Sequence, residues 1–134
     1  MENENKKINH IAIVVPDVKE AALKWQQALN MKKSEIIILE EHGVKVVFLE
    51  FSNLKIELLE PLNDKSPISK FLEKNPKGGM HHICFEVEKI TETINALKNK
   101  KINILGDGNP KIGAHDKPVV FLNPNDLSLS LIHI

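Results

Sequence analysis

Two stretches of the chain place histidine at the start of a β-branched run. In GGMHHICFEVEKI, Gly78 to Ile90, His81 and His82 are adjacent. Neighbouring residues on a strand point to opposite faces, so these two cannot serve one site. An earlier segment, INHIAIVVPDV from Ile8 to Val18, decides between them. Laid over MHHICFEVEKI, it sets His10 on His82 at an offset of 72. Parity then gives His10, Ala12 and Val14 one face of the first strand and Ile11, Ile13 and Val15 the other. In the second copy His82, Cys84 and Glu86 share a face, opposite Ile83, Phe85 and Val87. The bulky apolar faces should pack against helices, and the histidine faces should line a concavity. His82 is therefore the functional member, while His81 points into the other layer or sits at the strand edge.

Two further residues fit the same scheme. Glu57 in KIELLEP and His133 in SLIHI each sit between apolar residues of opposite parity. A carboxylate in such a strand is costly to bury without a partner. If the two copies pack with pseudo-two-fold symmetry, His10, Glu57, His82 and His133 converge. Three imidazoles and a carboxylate suit a borderline divalent ion: zinc, cobalt, nickel, manganese or iron(II). A lone strand histidine is more often a satisfied structural residue. Equivalent histidines in two copies, joined by the Glu57/His133 pair, shift the balance toward a metal. Cys84 aligns with Ala12 and should only fill space; Trp25 and Phe71 should pack in the core.

The elements that must hold these residues follow from periodicity. Ile8 to Val15 reads as a strand, broken by Pro16-Asp17, which opens a helix carrying Ala21, Ala22, Trp25, Ala28 and Leu29 at helical spacing. Strand-like runs follow at 34–39, 44–51 and 54–59, separated by Glu41-His42-Gly43 and Ser52-Asn53. After a connector in which Ser66 can cap a short helix, the order recurs: a strand over 80–88, a helix near 89–99, and strands near 101–105, 117–122 and 127–134. The segment 111–118, KIGAHDKP, is the longest irregular stretch and reads as a flap over a site. VVFL recurs at an offset of 73, and Ile56-Glu57-Leu58 matches Ile132-His133-Ile134. The chain is thus a single α+β domain of two βαβββ modules, residues 7–61 and 80–134, joined by a connector at 62–79.

Composition narrows the function classes. A chain of 134 residues with 42% hydrophobic residues can bury one core. Eighteen basic residues balance eighteen acidic ones, which favours neither nucleic acid nor an anionic membrane surface. No apolar run approaches the roughly 20 residues that span a bilayer. The polar start MENENKKIN resembles neither a signal nor a transit peptide, and a single cysteine excludes an intrachain disulfide framework. A cytoplasmic protein is expected.

These residues resemble the vicinal oxygen chelate (glyoxalase/bleomycin resistance) superfamily and, within it, the epimerases of methylmalonyl-CoA. The similar segments are NHIAIVVPDVKEA, EEHGVKVVFLE, KIELLEPL, SPISKFLEKN, GGMHHICFEV and KIGAHDKPVVFLNPND, nearly all the chain from Ile8 onward. SPI-x-KFL, GGMHHI and KIGAH-x-KPV-x-FL are the specific ones. The resemblance implies paired βαβββ modules forming an open mixed β-barrel with flanking helices around one divalent metal ion, Co2+, Mn2+, Zn2+ or Ni2+. His10 and His82 fall on the family's histidine ligands and Glu57 on its second-position ligand. His133 stands where the family has a terminal glutamate, Leu127-Ser128-Leu129 replaces the usual Gly-Gly, and Trp25-Gln26 replaces an aromatic pair.

The implied reaction removes the proton between a thioester and a carboxylate and returns it from the opposite face. Glu41 falls on the family's base, and His133 is the candidate on the other face, with Glu86 as a fallback. Lys111 and Lys117 would contact the carboxylate or the CoA phosphates. The implied partners are an acyl-CoA substrate and a second copy in a homodimer, with no nucleic acid and no membrane. Two alternatives stand beside this: a lyase of the glyoxalase I type acting on a glutathione hemithioacetal, and a catalytically impaired member that binds a small ligand.

Overall fold

The computed structural model describes residues 7–113 and 117–123, together with the backbone of 132–133. The chain divides into two compact units, one from His10 to His81 and the other holding the residues before His10 and those from His82 onward.

β1 (Lys7–Val14), which belongs to the first unit from His10 on, leads into α1 (Val18–Leu29), followed by β2 (Ile37–Leu39), β3 (Val44–Glu50) and β4 (Lys55–Pro61). Pro16-Asp17 starts the helix as expected. Asp17 has extended backbone and its side chain accepts the Glu20 N–H at 3.0 Å, satisfying a donor that the first turn leaves without a partner. A second carboxylate, Glu60 on β4, accepts the Val18 N–H at 2.9 Å and so ties the helix start to the sheet. The helix ends on Asn30 in the left-handed region.

The strand order here is β2-β3-β4-β1, with β1 parallel to β4 and the other pairs antiparallel. One sheet face packs on the helix: Val47, Leu49, Ile56 and Leu58 meet Val18 and Ala22, with Ile11, Ile13 and Trp25 closing the edges. Each such fully buried aliphatic side chain is worth about 1.5–3 kcal/mol. The opposite face carries His10, Ala12, Val14, Val46, Phe48, Glu57 and Leu59, all buried too. Two polar side chains therefore sit among apolar neighbours.

The connector holds α2 (Ser69–Lys74), and Ser66 does not cap it. Instead Ser66 lies in the preceding turn, where its carbonyl accepts the Ser69 N–H at 3.0 Å. The 34–39 run also shortens. The Phe48 N–H is taken by the Ser34 hydroxyl at 2.9 Å, a side chain competing with the ladder, so regular pairing starts only at Ile37.

The second unit contains β5 (Gly79–Glu86) from His82 on, then α3 (Ile90–Asn99), β6 (Lys111–Ile112), β7 (Pro118–Val119), β8 (Phe121–Leu122) and β9 (Ile132–His133). No strand forms over 101–105. Lys101 is left-handed at φ 62°, and the Ile102 N–H returns to the Leu97 carbonyl at 3.0 Å. That turn uses the residues in ending α3, leaving one bridge, Ile104 to Leu122. The 117–122 run splits into β7 and β8, which join different sheets. KIGAHDKP is not wholly irregular either. Its ends pair antiparallel as β6 and β7, and the Gly113 N–H donates to the Lys117 carbonyl at 2.9 Å. Of the run 127–134, positions 127–131 and 134 lie outside the described residues.

The register repeats between the units. β4 is parallel to β1 with Ala12 opposite Glu57, and β9 is parallel to β5 with Cys84 opposite His133. On the antiparallel side Phe48 faces Glu57, as Phe121 faces His133. Each residue of one set is the sequence-repeat counterpart of a residue of the other.

Candidate functional site

The histidine faces are buried as parity requires. On β1 burial alternates, with His10, Ala12 and Val14 inside and Ile11 and Ile13 only partly covered; on β5 His82 and Cys84 are inside. Parity also holds for β4: Glu57 shares its face with Leu59, and Ile56 and Leu58 turn to the helix. Glu57 Oε2 lies 2.5 Å from His10 Nε2, and both side chains are under a tenth exposed. A buried carboxylate among apolar side chains is costly unless its oxygens are paired, and here an imidazole nitrogen meets one of them.

Each buried histidine presents itself to an aromatic ring. The His10 and Phe48 rings are 6.3 Å apart at 76°, and those of His82 and Phe121 are 5.9 Å apart at 84°. The sequence reading missed these phenylalanines, although VVFL at the same place in both copies was the signal that could have found them. An edge-to-face ring fixes the imidazole plane without competing for its nitrogens.

His81 behaves differently, as its parity demands. It is partly buried on the other side of β5, with its ring 5.1 Å from Phe71 of α2 at 87°. Burial pushes its pKa below the ordinary 6.5, opposed by the nearby Glu57 carboxylate.

Glu41 lies in a short 3₁₀ turn, Glu40–His42, where its side chain is exposed. It lines a surface depression of 620 Å³ shared with His42, Asn63, Lys65 and Pro67. No hydrogen bond or ion pair joins Glu41 to the His10–Glu57 pair. Glu86 is exposed and accepts from Asn9 Nδ2 at 2.9 Å. Lys111 is exposed and paired with Asp107 at 3.2 Å; Lys117 is exposed. His133 has its backbone in β9, and its side chain lies outside the described residues.

The model for the Glyoxalase/Bleomycin resistance protein/Dioxygenase superfamily matches residues 9–121. The chain belongs to this superfamily. Its fold is glyoxalase-like, a mixed α+β arrangement with three α-helices among the described residues. The Ethylmalonyl-CoA/methylmalonyl-CoA epimerase of Cereibacter sphaeroides is 48% identical over 128 residues, 96% of each chain. The mitochondrial methylmalonyl-CoA epimerase of Homo sapiens is 49% identical over 96% of this chain and 72% of its own. A solved methylmalonyl-CoA epimerase in complex with methylmalonyl-CoA and NH4+ superposes with a TM-score of 0.86 at 26% identity, covering 96% of this chain and 92% of that one. Among the described residues, no helix is long and apolar enough to cross a membrane.

Proposed function

We propose that this chain is an epimerase that interconverts (R)- and (S)-methylmalonyl-CoA. The observation that carries the reading is the buried Glu57 carboxylate held against His10 on an otherwise apolar sheet face. Such a group is expensive to keep for stability alone. Relatives nearly half identical over almost the whole chain are named for this reaction.

His10, Glu57 and His82 would hold a divalent ion, with His133 as a fourth ligand. Supporting this are the donor types, two imidazoles and a carboxylate, all buried and chemically able to bind a cation. When bound, the ion supplies a Lewis acid to the oxygen of the enolate that forms as the α-proton leaves. This donor set suits cobalt, manganese, zinc or nickel.

The chain's own residues carry the protons. Glu41 takes the α-proton from one face, and its exposed carboxylate engages no partner among the described residues. His133 serves the opposite face, at the position matching Glu57 in the repeated register. Lys117 and Lys111 would meet the substrate carboxylate or the CoA phosphates, Lys111 by leaving Asp107. A homodimer is the state the family resemblance implies, and a cytoplasmic location is what the balanced composition and polar N-terminus favour.

The test is to incubate the purified protein with one diastereomer of methylmalonyl-CoA in deuterated water. Deuterium entering the α-position together with loss of diastereomeric purity is expected. Protein that produces neither change, with divalent ion supplied, overturns the proposal.

A further inference from the structure

The segment Ser66-Pro67-Ile68 belongs to the sequence signature, yet none of its residues carries a step above. It lies against the turn that bears Glu41. That turn closes on Gly43 at φ 68°, whose N–H donates to the Glu40 carbonyl at 3.1 Å and whose carbonyl accepts the Leu62 N–H at 2.9 Å. A Cβ on Gly43 would come within 3.3 Å of Ser66 Cα and 3.4 Å of both Ser66 Oγ and Pro67 Cδ. A side chain at residue 43 would therefore need the 63–69 turn to give by a few tenths of an ångström, besides holding a left-handed backbone that glycine favours.

Ser66 is itself held on every side. It is buried; its N–H donates to the Asn63 carbonyl at 3.1 Å, and its hydroxyl accepts the Ile68 N–H at 3.4 Å. Asn63 in turn accepts the Lys65 N–H at 2.9 Å and the Ser69 hydroxyl at 2.7 Å. A rigid 63–69 turn therefore abuts the short 3₁₀ turn, and the two share the walls of the 620 Å³ depression.

The geometry points to Gly43 and Ser66 as positioning residues that fix the Glu41 turn against the 63–69 turn, an inference that rests on Glu41 being the base for one face. Since no side-chain partner among the described residues anchors the Glu41 carboxylate, its backbone alone sets its place. A shift of about 1 Å in a reacting group can lower a rate about a hundredfold.

The test uses Gly43→Ala, Ser66→Ala and Glu41→Gln in the full chain, each assayed with both diastereomers in deuterated water. In a two-base enzyme, exchange with retained configuration reports one base for each diastereomer. Glu41→Gln should suppress retained-configuration exchange of one diastereomer. Gly43→Ala and Ser66→Ala should lower that same exchange, by about tenfold or more, with KM little changed and the exchange of the other diastereomer retained. Ser66→Ala leaves the backbone unstrained and is the variant that decides if Gly43→Ala fails to fold. Equal losses in both exchanges, or a lowered Tm with their ratio unchanged, assign the contact to folding and overturn the proposal. If Glu41→Gln suppresses one exchange while Ser66→Ala does not, the positioning role falls alone. If Glu41→Gln exchanges both diastereomers at the wild-type rate, the base assignment falls and the positioning role with it.

Discussion

Replacing Glu57 by leucine separates stability from metal binding. In the metal-free protein Glu57 is a buried carboxylate with an imidazole at 2.5 Å on an apolar face. Removing such a group from water costs several kcal/mol, which the attraction within the pair only roughly offsets. A leucine of similar size removes that cost and packs against Phe48 and Leu59, but it also takes the carboxylate from His10, so metal-free Glu57→Leu should lie within about 2 kcal/mol of the wild type. Glu57→Ala lacks the leucine's packing and leaves a cavity, and should lose about 3 kcal/mol. The metal-loaded protein should behave differently. A divalent ion at 100 times its Kd stabilises the folded chain by about 2.7 kcal/mol, which is about 10 °C in Tm for a domain of this size. Glu57→Leu should lose most of that increment. Thermal melts of the wild type and the two variants, with chelator and with added Co2+ or Mn2+, measure these differences. A metal-free leucine variant more than about 3 kcal/mol less stable would make the pair a structural device rather than a ligand site. An undiminished metal shift in that variant would exclude Glu57 as a ligand.

Two other perturbations follow from local geometry. Gly78 has φ 92°, and a Cβ there would lie 2.3 Å from the Val14 carbonyl oxygen; Gly78→Ala should lose at least about 2 kcal/mol in a urea melt, more than an ordinary surface substitution. Asp107 accepts the Asn109 N–H and pairs with Lys111, which together hold its carboxyl below the ordinary 3.8. Its small contribution to stability is present above that value and is lost as the pH falls through the lower folded one. An NMR titration should show the depressed midpoint, and Lys111→Ala should move it upward without restoring it fully, because the Asn109 N–H remains.

The duplication and the faces were legible in the sequence for a definite reason. Side-chain direction on a strand has a period of two, so one alignment of INHIAIVV with MHHICFEV assigned His10 and His82 inward and His81 outward. Burial follows that alternation from His10 to Val14 on β1 and from His81 to Phe85 on β5, while Ile8, Met80 and Glu86 at the strand ends share the inward parity but are exposed. Local competition was less visible. The propensities of Ile102 and Ile104 favour a strand, but the return of the Ile102 N–H to Leu97 makes their segment the end of a helix. Ser66 looked like a cap because serine commonly caps, whereas its hydroxyl serves the turn before the helix. What only the tertiary structure decided are the meetings of residues far apart in the chain: Glu57 with His10, Glu60 with the start of α1, and Gly43 with Ser66. Periodicity says which way a side chain points; the packing of one element on another says what it meets.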